Sequence, residues 1–386
     1  MRTGAAALAL LLLPGLAAPQ AAPPQAARRP PELGAVVAQI ERGDTAGAER
    51  QLRRMVASSG NAAARQLLAR LLFDQHRDAE AIVELRKAAL LGPLPRDLGL
   101  RLATAEIADG HPALAEQQLR AVATRYKSVQ ALLELARLQT RQKNAAAALV
   151  SLREARSLAP NSEDVLNAFA QVSLSLRAPV PALQVLEPLA RMCPTTGQYQ
   201  YMLGVGLMQV GDIESSVAPL READRLEPDR PSTLIALGLV LNTQRLYGDA
   251  KPHLLRALDL EPDNVDGVAA LAESEEGLGE LEAAETHALR ALARAGDHAI
   301  GNLALGMVRM KQERYEEACA ALEKALAADP ASPKAPYQLS LAWARRGDEA
   351  QSKKYLEIYR QRVQSIDTRL AEVRAKTGIS GGGMQR

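Results

Sequence analysis

Aromatic residues are nearly missing from this chain of 386: two Phe, eight Tyr and one Trp, 3% of the whole. Strands rely on aromatic and β-branched side chains to cover a pleated face, so this scarcity argues against a sheet-based architecture. Cysteine is scarcer still, with only Cys193 and Cys319. Net charge is just +2, from 47 Lys and Arg against 45 Asp and Glu, too little to draw the chain to nucleic acid. No HExxH, P-loop or CxxC spacing occurs, and no Gly-x-Ser-x-Gly nucleophile turn is expected. Of the five histidines, His253 and His287 stand 34 residues apart, but no Cys or third His joins them as a metal set would require. Glu275, Glu276 and Glu280 form a carboxylate run, which reads as a solvated face. No catalytic residue, metal or cofactor is expected.

What the chain has instead is Ala and Leu, within a hydrophobic content of 47%. Small and straight-chain apolar residues suit close helix packing, and an almost wholly helical protein follows. Charge is unevenly spread. From Pro19 to Pro160 there are 21 basic residues against 14 acidic, net +7; from Asn161 onward there are 25 against 31, net −6. In an elongated body such a division makes a long dipole, able to steer a charged partner or to favour head-to-tail contacts.

Residues 1–18 carry Arg2, the apolar run Ala5 to Leu13, a Pro14-Gly15 break and small residues at Gly15, Ala17 and Ala18. That order predicts a secretory signal peptide, too short to span a membrane. No Cys near the cleavage point offers a lipid anchor. Residues 19–28 begin a proline-rich, exposed linker.

From about residue 29 the chain keeps a period of 33 or 34. Leu203-Gly204, Ala223 and Pro228 recur as Leu237-Gly238, Ala257 and Pro262. A column of small residues runs Ala48, Ala81, Ala115, Ala148, Ala182, Ser216, Ala250, Ala284, Ala318 and Ser352. Four residues on, one turn further along the same helix face, stand Leu52, Leu85, Leu119, Leu152, Leu186, Leu220, Leu254, Ala288, Leu322 and Leu356. The small column marks where two helices cross closely, since a larger side chain there would overpack the contact. Pro93, Pro160, Pro194, Pro228, Pro262 and Pro330 end the second helix of their units, because proline cannot continue a helix. Gly60, Lys127 and Gly296 stand in that column elsewhere. Gly43, Gly110, Gly211, Gly279 and Gly347 supply the left-handed residue favoured at a helix end.

This pattern resembles the tetratricopeptide repeat, a pair of antiparallel helices stacked in series. The chain departs from the family at the first-helix Trp position, held here by Leu132, Leu166, Leu234 or Val268. The resemblance implies a right-handed superhelical α-solenoid over 29–366. Ten units follow, at about 29–61, 62–95, 96–128, 129–162, 163–196, 197–230, 231–264, 265–298, 299–332 and 333–366, then a helical cap at 367–377 and a flexible tail at 378–386. Cys193 and Cys319 fall about four units apart, beyond disulfide reach, and read as free thiols.

The resemblance also implies a non-catalytic scaffold that holds a peptide or partner helix in a concave groove lined by first helices. Inward positions give a basic early stretch, Arg70, Arg101, Arg137 and Arg141. A later apolar stretch follows at Tyr201, Val205, Met208, Ile235, Leu239, Leu303, Met307 and Met310, interrupted by Asp266, Glu273 and Glu276. Several of these either face the groove or pack between neighbouring first helices. The expected partner is a protein or peptide in a cell-envelope assembly, with no small-molecule substrate and a periplasmic or secreted location. At the C-terminal end, Leu356, Tyr359, Val363, Ile366, Leu370 and Val373 are spaced three, four, three, four and three apart. This apolar stripe caps the array. The alternative is that it pairs two copies, making the chain a self-associating structural subunit of an exported complex.

Overall fold

The computed structural model describes residues 31–377. The expected signal peptide, the linker at 19–28 and the tail at 378–386 lie outside the described residues. Within them there are twenty α-helices and no strand, as the Ala- and Leu-rich composition requires.

The chain divides after Asp109 into two compact units. The first contains α1 (Pro31–Glu41), α2 (Thr45–Ser59), α3 (Ala62–Asp74), α4 (Asp78–Leu91) and α5 (Arg96–Ala108). Its core joins Val36, Leu52, Leu68, Leu72, Leu85 and Leu98 in one cluster. The second contains α6 (Pro112–Tyr126), α7 (Val129–Arg141), α8 (Ala145–Leu158), α9 (Glu163–Ser175), α10 (Pro179–Met192), α11 (Gly197–Val210) and α12 (Ile213–Leu226). It continues through α13 (Pro231–Thr243), α14 (Tyr247–Leu260), α15 (Val265–Leu278), α16 (Leu281–Arg294), α17 (Ala299–Lys311), α18 (Tyr315–Ala328), α19 (Lys334–Arg345) and α20 (Glu349–Thr377). The division falls inside the third expected repeat: α5 belongs to the first unit and α6 to the second.

Each helix pair is built as the period predicts. Ala48, Ala81, Ala115, Ala148, Ala182, Ser216, Ala250, Ala284 and Ala318 have no exposed surface, so the small column is where second helices are wholly covered. The leucines four residues on are equally buried from Leu52 to Leu254. On the facing first helices the crossing point is glycine in three units. A Cβ on Gly204, Gly238 or Gly306 would stand 2.5, 2.5 or 2.6 Å from Leu220, Leu254 or Leu322. In α7/α8, α9/α10 and α15/α16, Ala136, Ala170 and Ala272 take the same place.

The connections follow the same economy of residue types. Gly43, Gly110, Gly211, Gly279 and Gly347 all have φ between +77° and +94°, the region that costs an L-residue about 1–2 kcal/mol. In three of these turns the next residue is an aspartate that caps the following helix: Asp44 accepts from Gly47 N–H, Asp212 from Ser215 N–H and Asp348 from Gln351 N–H. That satisfies a donor the helix end would otherwise leave orphaned.

Two elements depart from the sequence reading. Helix α15 is covered on both sides, and Glu273, Glu275 and Glu276 are 4%, 3% and 3% exposed. Of the carboxylate run, Glu275 and Glu276 are therefore buried beside His287 and Lys311, correcting the reading of a solvated face for these two, while Glu280 is exposed. The second departure is α20. Its first half packs on α19 through Tyr355 and Ile358, while its distal half reaches back to α10 and α11. There Val373, 3% exposed, and Leu370 join Val180, Leu183, Leu203, Leu207 and Val210. The distal stripe is thus engaged within its own chain.

Candidate binding groove

First helices α11, α13, α15, α17 and α19 present their inner faces to a common groove in the second unit. On α11 the residues Tyr201, Val205 and Met208 are four and three apart, so one helix face carries all three. On α13 the same spacing gives Ile235 and Leu239.

Three cavities follow this face. One of about 590 Å³ is lined by Tyr201, Val205, Met208, Ile235 and Leu239, with Arg177, Gln209, Asn264, Asp266 and Asp329 around them. A second, of about 200 Å³, shares Met208 and Leu239 and adds Thr243, Glu273, Ile300, Leu303 and Lys334. The third, of about 540 Å³, again includes Met208 and Lys334. It is walled by the Asp329–Lys334 connection and by Ile366 and Arg369 of α20. The shared residues make these neighbouring compartments of one groove, apolar along its floor and charged around its rim.

The charges are held in place. Glu273, beneath the second compartment, pairs with Lys334 Nζ at 2.6 Å, tying α15 to α19. Glu276 accepts from Lys311 Nζ at 2.8 Å, tying α15 to α17, and its carboxyl is nevertheless pushed up because burial penalises the charged form more than the lysine favours it. Glu275 meets His287 Nδ1 at 2.7 Å. The phenol of Tyr247, whose ring occupies the space left by Gly277, is raised by burial and by the nearby Glu273 and Glu276. On the rim, Asp266 meets His298 Nε2 at 2.9 Å, a hydrogen bond that holds its carboxyl below the usual range. The guanidinium of Arg230 lies over the Tyr201 ring, 4.9 Å from its centre.

The structure sorts the sequence candidates into three places. Tyr201, Val205, Met208, Ile235, Leu239, Leu303 and Glu273 line the connected compartments. Met307 and Met310 do not; they pack, half-buried, against the core cluster of Leu339 and Tyr355, to which the buried Leu303 also belongs. Arg137 and Arg141 line a separate hollow of about 630 Å³ with Glu134, Asp164, Asn167 and Gln171, where Arg137 is paired with Glu134 at 2.7 Å. Thr243, Lys334, Asp329, Gln209 and Arg177 escaped the sequence reading. Asp329 and Lys334 flank a connection between units, where helix periodicity carries no information about direction.

Among the described residues no cluster of three or more His, Cys, Asp or Glu is placed to hold a metal, and Cys193 and Cys319 are free. The run Gly378-Ile379-Ser380-Gly381-Gly382 has Gly-x-Ser-x-Gly spacing. It lies outside the described residues and follows a helix, whereas a nucleophile elbow follows a strand. No described helix is long and apolar enough to cross a membrane.

Comparison with known proteins gives one family. Tetratricopeptide repeat models match residues 100–163, 235–299 and 299–332. No curated protein matches the sequence. Among solved structures, a tetratricopeptide repeat protein from Parabacteroides merdae is similar over 64% of this chain and 98% of its own, at 16% identity and a TM-score of 0.51. The Cut9–Hcn1 hetero-tetramer of the APC/C is similar over 76% of this chain and 58% of the other, at 19% identity and a TM-score of 0.49. YrrB, described as having an unusual peptide-binding site, covers 47% of this chain and 94% of its own at 16% identity and a TM-score of 0.39. The matched repeats, the paired helices and their 34-residue period agree: residues 100–163 and 235–332 are tetratricopeptide repeats.

Proposed function

We propose that this protein is a non-catalytic scaffold whose second unit binds an extended segment or a helix of a partner protein along α11, α13, α15 and α17. Repeats of this family generally serve protein–protein interaction. The observation that carries the reading is the apolar floor of Tyr201, Val205, Met208, Ile235 and Leu239 within a cavity of about 590 Å³. Met208 adds an adaptable thioether suited to varied side chains.

Peptides selected from a displayed random library on the full chain test this reading. Leu239→Glu should weaken a selected peptide by about 2 kcal/mol or more, as a lost hot spot does, with the melting temperature unchanged. Met307→Glu, which buries a charge in the core, should instead lower the melting temperature. Failure to select any peptide that Leu239→Glu weakens overturns the reading.

The proposal places the scaffold in an exported envelope assembly, on the order of Arg2, the apolar run and Gly15 to Ala18. Protein recovered from its host should lack about 17 to 20 N-terminal residues by mass, the length of such a leader. A chain found only intact and only in the cytosol overturns export.

A further inference from the structure

We propose that the distal half of α20, from Ile366 to Thr377, is a releasable strap across the mouth of the groove, and that it must undock for a segment to enter. This inference concerns the regulation of the groove and rests on the peptide-binding reading above.

The two halves of α20 are attached very differently. The proximal half sits in a continuous core with α19: Tyr355 is buried beside Leu339 and Ala342, Tyr337 and Tyr359 meet ring to ring with centroids 5.2 Å apart, and Tyr355 Oη donates to Glu323. The distal half meets α10 and α11 through Ile366, Leu370 and Val373, with a long hydrogen bond from Arg369 Nη1 to the Gln209 carbonyl at 3.4 Å. Apolar residues at i, i+4 and i+7 are the register by which an amphipathic helix docks on a partner surface. Here the docked helix belongs to the same chain.

The position of this contact links it to the groove. Ile366 and Arg369 wall the 540 Å³ compartment together with Met208, which lines both of the others, and Lys334, which lines the 200 Å³ one. Gln209, which receives Arg369, lines the compartment that holds Tyr201 and Leu239. A docked strap therefore encloses one end of the site. A contact of three apolar side chains belongs to the low end of the local stabilities within a fold. If the released form is populated at about 1–10%, apparent affinity is reduced by that fraction, and removing the strap should tighten a groove peptide by about tenfold or more.

Two measurements test the strap, and the first needs no peptide. Spin labels at Gln184→Cys on α10 and Glu372→Cys on the strap, both exposed positions, are introduced in the full chain with Cys193→Ser and Cys319→Ala. A second, longer distance should appear at urea concentrations that leave the far-UV helix signal intact. A separation that changes only with global unfolding overturns the strap, since the distal half is then part of the cooperative core. The second measurement compares a selected peptide on the wild type and on Leu370→Glu/Val373→Glu. Faster association and tighter binding by about tenfold support gating. Equal binding to a folded variant overturns gating while leaving the groove reading intact, and absence of binding to both forms overturns the groove reading itself.

Discussion

Ile366 lies on Gly211, 155 residues earlier, so closely that a Cβ on Gly211 would stand 2.6 Å from Ile366 Cγ2. Gly211 is also the left-handed turn residue between α11 and α12, with φ +94°. One glycine therefore serves a local turn and a distant helix contact, and only the first is visible in the 34-residue period.

The two roles separate by mutation. Gly347 has φ +84° and nothing within 4 Å of its missing Cβ, so Gly347→Ala should cost only the backbone term of about 1–2 kcal/mol. Gly211→Ala should cost more in urea unfolding, and the excess should vanish in an Ile366→Ala background. An equal cost for the two glycines would remove Ile366 from the account.

Gly238 and Leu254 make a second testable pair. Leu254→Ala deletes a fully buried side chain and should cost about 2–5 kcal/mol; Gly238→Ala overpacks the crossing at about 1–3 kcal/mol. The double variant should be more stable than the two costs added together, by about 1 kcal/mol or more, because the new methyl occupies space the leucine vacates. The chain already uses that solution in α15 and α16, where Ala272 and Ala288 occupy these columns and both are fully buried. Additive costs would show that the two residues do not share the space.

Glu276 sets a pH dependence. Its carboxyl is raised in the folded state by burial, so between the unfolded and folded values the native chain binds more protons than the unfolded one, and stability falls as pH rises through that window. Glu276→Gln has no such titration. The difference in unfolding free energy, wild type minus variant, should therefore decrease from pH 4 to pH 7 in urea denaturation. A difference that grows with pH would mean that Lys311 dominates and the carboxyl is lowered instead.

Much of the helical frame was legible in the sequence because it depends on neighbours three, four and 34 residues away. Ala250 and Leu254 mark a helix crossing wherever the chain lies in space, and Gly279 ends a helix for reasons contained in its own backbone. The groove was partly legible: Tyr201, Val205 and Met208 share a face by helix spacing alone. Met307 and Met310 were read by the same rule, yet they pack against Trp343, Leu339 and Tyr355, because α19 and α20 cover that part of α17. Periodicity tells which residues share a face; it does not tell what faces them.

The sequence by itself determined the paired helices, their crossings, their turns and the apolar stripe of α20, since each is a local preference repeated. Tertiary structure alone decided the burial of Glu273, Glu275 and Glu276, the division after Asp109 and the return of Val373 to Leu183. These depend on which helices lie against one another: α16, α17 and α19 pair with the glutamates of α15, and α20 meets α10 and α11, nine or more elements earlier, a contact that no single repeat contains.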